Sequence, residues 1–472
     1  MNEYLRGHQL FPSRITTPAR PDLGIVVVIP CYDEPTIEPL LDCLWRCARP
    51  ACAVEVIVVV NATRADAPPA HARNLRVLFS ARRWIGARIA AGKDDRLRFH
   101  MLHFPELPPR HAGVGLARRI GMDEAVARFA AIRNPEGIIA CLDADCCCDP
   151  NYLIALDTHF RAHPKTPGCS IYFEHPLDWA GPDPSSPSDV SEPGVLSPGG
   201  RTVSAFEPPE NSTPATRAAI RAAIAGYELH LRYYVQGLRR AGSPYAFHTV
   251  GSCMAVRTRV YEKQGGMNRR KAGEDFYFLQ KIIALGGFTE LRHTRVLPSP
   301  RISRRAPFGT GQAIAASLGE KDAPYTYAPQ VFRDLRGVLS WMEAFHHGEE
   351  SGARPEAAGL PGYVSAFLDA QGFWDRIAEI RRNAASPQSF RKRFHRWFNA
   401  LSTLKFIHFA TAHRYPKVPV ERAARVFLEW SGKRVGAKRE GAGRHLHGRE
   451  ALLRQYRRMD RGEDEREIHR PE

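Results

Sequence analysis

The sequence predicts an α/β fold: a mostly parallel sheet flanked by helices, followed by a helical C-terminal region. Two continuous apolar runs, Ile25–Ile29 and Val56–Val60, are short and rich in β-branched residues, as strands buried on both faces are. Helix-length segments alternate with these and later strand-like runs, the order that builds a parallel sheet covered on both sides. Beyond about residue 330 the chain becomes helical and basic, with no further strand pattern.

Residues 1–22 form a polar, proline-bearing lead-in. The first strand runs through LGIVVVIP and ends in the turn Cys31-Tyr32-Asp33-Glu34-Pro35; a helix over Thr36–Arg49 follows. VEVIVVVNATRAD is a second buried strand with a polar end at Asn61, and Arg96–Phe104 alternates as a third strand would. Gly115–Ala131 is helical, and EGIIACLDAD is a fourth strand running into acidic residues. In such sheets ligands bind beyond the carboxyl ends of the strands. The ends Pro30–Glu34, Asn61–Asp66 and Asp143–Asp145 should therefore share one rim.

The segment Asp178–Thr216 is rich in Pro, Ser and Gly, lacks periodicity, and reads as a flexible insertion. Order resumes with a helix over Ala218–Arg240, a strand over Gly251–Val256 and a helix over Phe276–Leu285. These divisions separate residues 23–177, 178–216, 217–329 and 330–472. The stretch Ser389–Ala412 alternates Arg and Lys with Phe and Trp, an amphipathic basic helix packing its aromatics. Residues after Lys433 read as a polar, charged tail.

Composition bounds the setting. The hydrophobic fraction of 43% and charged fraction of 25% are ordinary for a globular protein. No stretch approaches the roughly 18 consecutive apolar residues that span a bilayer, and the first residues lack the apolar core of a secretory signal. The expectation is a cytoplasmic protein. The ten cysteines fall into loose groups, Cys43, Cys47 and Cys52 in one and Cys146, Cys147 and Cys148 in another, without zinc-site spacing. They read as small thiols in a reducing compartment. A net charge of +17 favours anionic partners, among them nucleotide phosphates and acidic lipids. No nucleic-acid-binding motif accompanies that charge, and no nucleic-acid partner is expected.

The chemistry-bearing signal is Asp143-Ala144-Asp145 at the end of an apolar strand. Two carboxylates one residue apart on extended backbone face the same way, and together suit a hard cation that in turn binds a diphosphate. Glu274-Asp275 opens a later helix, where carboxylates also favour the helix N-terminus. Gly113-x-Gly115-x-x-Arg118 is not a dinucleotide fingerprint: the third glycine is missing, and it does not follow the first strand.

Taken in order, these elements resemble the nucleotide-sugar domain of family 2 glycosyltransferases, across roughly residues 24–312. The resemblance rests on four segments. They are Pro30-Cys31-Tyr32-Asp33-Glu34, the segment Gly113–Gly121 with Ala117-Arg118-Arg119, the Asp143–Asp145 pair, and Glu274-Asp275 about 130 residues later. Asn61 stands where the family usually has Asp. The resemblance implies the Rossmann-like glycosyltransferase A-type fold and inverting transfer of a sugar from a nucleotide-diphosphate sugar, UDP-sugar being the first guess. The acceptor it implies is a glycan or lipid-linked hydroxyl in cell-envelope polysaccharide synthesis. A basic protein of that kind would make peripheral contact with an anionic inner membrane face.

Site roles follow from the resemblance. Pro30, Tyr32, Glu34 and Asn61 would lie near the base and ribose, with Gly113 and Asp143 also in the nucleotide-sugar site. Arg118 or Arg119 would neutralise phosphate, as would Arg301, Arg304 and Arg305 in the Arg- and Gly-rich stretch Pro298–Gln312. Mn²⁺ or Mg²⁺ would sit on Asp145 and Asp143, with His293, nineteen residues past Glu274, as a third ligand. Asp275 would be the general base and Glu274 a neighbouring acceptor-site carboxylate.

Three other classes fit less well. A sugar nucleotidyltransferase would carry an N-terminal glycine-rich phosphate loop, which PCYDEP is not. A phosphotransferase of the haloacid dehalogenase type places its acidic nucleophile on the first strand, not the fourth. A non-catalytic basic protein binding membrane or nucleic acid rests on charge and the C-terminal arginines alone.

Overall fold

The computed structural model describes residues 2–92, 94–177, 213–301, 309–319, 324–346, 359–432 and 444–463. The chain divides into two compact units, Met1–Ile224 with Thr249–Ala315, and Ala225–His248 with Ala316–Glu472. Most of the insertion expected over Asp178–Thr216, and both Arg304 and Arg305, lie outside the described residues.

The first unit carries α1 (Glu3–His8), β1 (Leu23–Cys31), α2 (Glu38–Arg46), β2 (Ala53–Thr63), α3 (Pro68–Ala90), β3 (Leu97–Leu107) and α4 (Val114–Ala131). It continues through β4 (Ile138–Cys141), β5 (Cys147–Cys148), α5 (Tyr152–Ala162) and β6 (Gly168–Phe173). Helix α6 (Pro214–Ala241) precedes β7 (Met254–Arg257), α7 (Thr258–Lys263), α8 (Glu274–Ile283), β8 (Thr289–Leu297) and α9 (Thr310–Gly319). The eight strands form one sheet in the order β3-β2-β1-β4-β7-β6-β8-β5. β1 pairs in parallel with β2 and β4, β2 with β3, and β6 with β8, while β7 and β5 run against their neighbours. This is the mostly parallel, helix-flanked sheet that the sequence predicts.

The apolar runs become the two central strands: Val26–Ile29 and Val56–Val60 are completely buried. Alternate side chains meet different helices. Gly121 of α4 lies so close to Val28 and Val59 that a Cβ there would clash with both valines. On the opposite face Phe99 of β3 packs edge-on against Trp84 of α3, with ring centroids 5.3 Å apart, and beside Trp45 of α2. Helix α3 has no counterpart in the sequence reading, because its arginines interrupt the apolar stripe. It buries only Ala70, Asn74, Val77, Leu78 and Ala81.

A buried charge pair joins α4 to the sheet. Arg128 donates to both carboxylate oxygens of Glu55 at 2.7 and 2.6 Å, and His100 stands 3.6 Å from the same group. The lead-in packs against the same helix. Tyr4 is buried and donates to Asp123 at 2.6 Å, and the backbone of Arg14 and Ile15 caps Glu124.

The second unit holds the C-terminal part of α6 with β9 (Tyr325–Thr326), α10 (Pro329–His346), α11 (Gly362–Ala370), α12 (Phe373–Arg382), α13 (Pro387–Trp397) and α14 (Ala400–His413). β10 (Val418–Pro419), α15 (Val420–Trp430) and α16 (Arg444–Arg461) complete it. α13 is amphipathic as expected: Phe390 and Phe394 are buried, while Arg393 and Arg396 are exposed. The charged tail expected after Lys433 is corrected by α16, which buries Leu452, Leu453 and Tyr456. Its acidic end does structural work too. Asp460 accepts from Arg232 at 2.6 Å and faces His248 at 3.1 Å, while Arg457 and Arg232 both bond Glu228 at 2.8 Å. Arg232, His248 and Arg239 hold the Asp460 carboxyl below its ordinary pKa despite burial, which alone would raise it.

The Glu55–Arg128 pair yields a stability prediction. Burial alone would raise the Glu55 pKa, but the bonds from Arg128 and the nearness of His100 prevail and hold it at about 2 instead of 4.5. Stability from a depressed carboxyl is present above the unfolded-state pKa and lost as pH falls through the folded one. Glu55→Gln is therefore expected to cost ~3 kcal/mol in urea unfolding near neutral pH. The gap to wild type should shrink between pH 4.5 and about 2.

Candidate functional site

Because β1, β2 and β4 are parallel, their carboxyl ends open on one rim. The antiparallel β7 starts there, since Met254 pairs with Cys141, so the turn before it at Gly251 joins the same rim. Helix α8 brings Glu274 and Asp275 on its first turn. Residues far apart in the sequence thus converge through sheet topology alone.

Two arginines organise the carboxylates. Arg118 of α4, 2% exposed, donates one guanidinium nitrogen to Asp143 and another to Glu274. Beyond the end of β8, Arg301 donates to Glu34 and stands 2.9 Å from Asp145. The result is a line of alternating charge: Glu34, Arg301, Asp145, then Asp143, Arg118, Glu274 and its neighbour Asp275. Five carboxylates face two guanidinium groups, so negative charge is in surplus.

Glycines make the close approach possible. A Cβ on Gly251 would collide with the Arg118 guanidinium, and a Cβ on Gly115 would meet the Arg270 carbonyl and stand 3.0 Å from the Glu274 Cβ. Gly113, just before α4, lies against the backbone of Lys271. The GxG pattern thus lets the start of α4 abut the residues that lead into α8.

The acidic pair titrates abnormally. Burial raises the Glu274 carboxyl to about 7; Arg118 opposes that rise, and Asp275 adds to it. Burial likewise raises Asp275, against the pull of Arg118. Asp275 accepts from the amides of Gly251 at 2.9 Å and Phe276 at 2.7 Å, which fixes its orientation, and the residue is half-buried. Glu274 is buried and bound to Arg118; Asp275 is the more open of the two.

The turn after β1 is held in an unusual conformation. Asp33 has φ of 56°, a left-handed value that Asp tolerates better than most residues. Asn74 of α3 holds it there. Its side-chain oxygen accepts from the Asp33 amide at 2.8 Å, and its nitrogen donates to the Asn61 carbonyl at 2.9 Å. Arg73 pairs with the Asp33 carboxylate. Buried Pro30, half-buried Tyr32 and buried Glu34 flank this turn, and Asn61 is 4% exposed beside it. Sequence reasoning missed Asn74, Arg73 and Gly251. The first two sit on the unpredicted helix α3, and the sequence presents Gly251 only as the first residue of a strand that in fact starts at Met254.

Two predicted ligands stand elsewhere. Arg119 points away from the rim and donates to the carbonyls of Met267 and His8, each at 2.7 Å, and pairs with Asp123. Its side chain braces α1 and the loop after α7 and is not placed for phosphate. His293 is exposed in mid-β8, its carbonyl bonded by Asn151. β5 meets β8 at Leu297 and Val296, so Asp145 lies beyond the far end of β8 from His293. The sequence spacing that suggested His293 does not show how far along β8 it falls.

Asp143, paired with Arg118, and Asp145, paired with Arg301, are the carboxylates that would hold a hard cation. Their side chains are 40% and 29% exposed, and Mg²⁺-type ions take one or two carboxylates and complete their shell with water and phosphate. Among the described residues, no group of three or more His, Cys, Asp or Glu is arranged as a metal cage. Among the described residues, too, no helix is long and apolar enough to cross a membrane.

No family model matches the sequence, and no curated protein matches it. Among solved structures the chain is similar to S. aureus TarS 1-349, at 13% identity and a TM-score of 0.33, over 79% of this chain and 91% of that one. It is similar also to TarS 1-349 in complex with UDP-GlcNAc, at 14% identity and a TM-score of 0.33, over 94% and 92% of the two chains. For S. aureus TarS the identity is 14% and the TM-score 0.33, over 92% of this chain and 54% of that one. Likeness at this level adds nothing to the topology described above.

Gly251→Ala tests the arginine clamp. Crowding the guanidinium is expected to cost about 2 kcal/mol of stability in denaturant unfolding. With its counter-charge displaced, Glu274 should titrate above its present value of about 7, read from carboxyl carbon chemical shifts.

Proposed function

We propose that this protein is an inverting glycosyltransferase of family 2 type, moving a sugar from a nucleotide-diphosphate sugar to a hydroxyl of a glycan or lipid-linked acceptor. The observation that carries the reading is the rim itself. Half-buried Asp143, just past the end of β4, is joined through buried Arg118 to Glu274, whose carboxyl pKa is raised, as is that of its neighbour Asp275. A carboxyl with a raised pKa is a better proton acceptor while still ionised in part near neutral pH. That is what deprotonating a sugar hydroxyl requires.

The roles divide by environment. Asp275, oriented by two backbone amides and half-buried, takes the acceptor's proton as its oxygen attacks the anomeric carbon. Attack from the side opposite the departing diphosphate inverts that carbon. Glu274 holds Arg118 in place and stands beside the acceptor hydroxyl. The turn Tyr32–Glu34 and Asn61 receive base and ribose, and Arg301 faces the phosphates from beside Asp145. Mg²⁺ or Mn²⁺ held by Asp145 and Asp143 would neutralise the charge developing on the diphosphate. UDP is the first choice of nucleotide and cell-envelope polysaccharide the setting, with peripheral contact at an anionic membrane face suggested by the charge of +17.

A thermal-shift screen of UDP, GDP, dTDP and CMP, each with and without Mn²⁺, tests the donor site. One nucleotide should raise the melting temperature, and only with metal; no shift at millimolar ligand would sink the reading. Asp145→Ala should abolish that shift. Asp275→Asn should keep the shift and reduce transfer roughly 10²–10⁴-fold, the usual worth of a general base. Because burial raises the Asp275 pKa, wild-type transfer should increase with pH as that carboxyl ionises.

A further inference from the structure

The cysteine groups that seem unrelated in sequence meet in the fold. Cys43 and Cys47 lie one turn apart, at the end of α2 and just past it, and both face β5. The Cys43 and Cys147 sulfurs are 2.7 Å apart, and those of Cys47 and Cys148 are 3.7 Å apart. Backbone ties hold the two segments together: the Ala48 amide donates to the Pro150 carbonyl at 2.8 Å, and the Cys47 thiol reaches the Asp149 carbonyl. Cys43, Cys47, Cys147 and Cys148 are free thiols.

A zinc tetrathiolate does not account for this arrangement. Zinc–sulfur bonds of about 2.3 Å at tetrahedral angles keep ligand sulfurs nearly 4 Å apart. The Cys43–Cys147 separation is far shorter, and only about 0.65 Å above the ~2.05 Å of a disulfide bond. A thiol pair this close needs little backbone movement to be oxidised.

We propose that Cys43 and Cys147 form a reversible redox site, a dithiol that oxidised glutathione or a similar small disulfide converts to a disulfide joining α2 to β5. The two thiols have different roles. Cys43 is half-exposed, and its hydrogen bond with Cys147 lowers its pKa, so it is the accessible nucleophile. Cys147 is buried against it, so it resolves from within. The Cys43 thiolate attacks one sulfur of glutathione disulfide; that S–S bond breaks, and a glutathione thiolate departs. The Cys147 sulfur, losing its proton to that thiolate, then attacks the Cys43 sulfur and expels the second glutathione. Two protein thiols are oxidised and one small disulfide is reduced to two thiols; the second glutathione thiolate takes from water the proton that Cys43 released on ionising.

The position gives the bond a consequence. Cys147 lies two residues after Asp145, and β5 pairs with the end of β8 that leads to Arg301. Oxidation would fasten α2 to the segment that follows the acidic pair. Nothing in this chemistry depends on the proposed sugar transfer.

The test uses the full chain, reduced and then incubated folded with oxidised glutathione, acid-quenched, alkylated and digested without reductant. Tandem mass spectrometry should assign a Cys43–Cys147 linkage in most chains, reversed by dithiothreitol. The oxidised protein should melt roughly 5–10 °C higher, since the closed loop is long. Cys43→Ser should lose both the linkage and the shift, and Cys52→Ser should keep both. If Cys43→Ser does not fold, the linkage map of the wild type still decides. Cys43 and Cys147 both alkylated after treatment would overturn the proposal. So would Cys43 halted as a glutathione adduct, linkage of Cys43 to any other cysteine, or stoichiometric zinc in the purified protein.

Discussion

The site depends on one buried guanidinium. Arg118 is nearly sealed from water, and a lone cation there would be several kcal/mol too costly to bury. Two carboxylates meet it, Asp143 from the end of β4 and Glu274 from the start of α8. At about 3 Å, each attraction is worth roughly 5 kcal/mol at an effective dielectric of 20, enough to offset a desolvation of that size. Breaking either contact leaves buried charge uncompensated. The helix, the strand end and the acidic turn must therefore arrive together, and Gly115 and Gly251 leave the space that lets them.

The same arrangement sets the site's electrostatics. Each guanidinium spans two carboxylates, so neither neutralises the rim, and Asp275 is left as the surplus charge at one end. Burial raises the pKa values of Glu274 and Asp275, and the neighbouring carboxylates add to the rise. Solvent reaches Asp143 and Asp145, the carboxylates that would meet a cation and its phosphates under the proposed function. Under the proposed function, Glu274 and Asp275 would supply the proton-accepting chemistry and Asp143 and Asp145 the ion binding. Environment, not residue type, separates the two roles.

Much of this was legible in the sequence, for a physical reason. Parallel strands buried on both faces cannot avoid being continuous apolar runs, so β1, β2 and β4 announce themselves, and the polar residues after them must fall on one rim. Helix α3 was not legible, because its arginines leave too thin an apolar stripe for periodicity to register. Helix α16 failed similarly: its burial rests on Leu452, Leu453 and Tyr456 among many charges, and part of its anchoring is ionic. Arg118 and Arg119 show the limit of a motif. They are adjacent in sequence, yet one faces Asp143 and the other the carbonyls of His8 and Met267, because neighbours on a helix diverge by about 100°.

Pairings are harder to read than elements because periodicity is local and pairing is not. Arg118 and Glu274 are 156 residues apart, Arg301 and Glu34 are 267 apart, and Cys43 and Cys147 are 104 apart. Nothing in either segment of such a pair encodes the other. What brings them together is strand order: β4 lies beside β1 on one side and the antiparallel β7 on the other, and β5 is delivered to the sheet's edge opposite α2. Once that order is fixed, the carboxylate at one strand end has few neighbours to choose from, and a buried arginine within reach must take it. Sequence can nominate the chemistry of a rim, but only the topology decides which carboxylate each arginine holds and which cysteine each thiol faces.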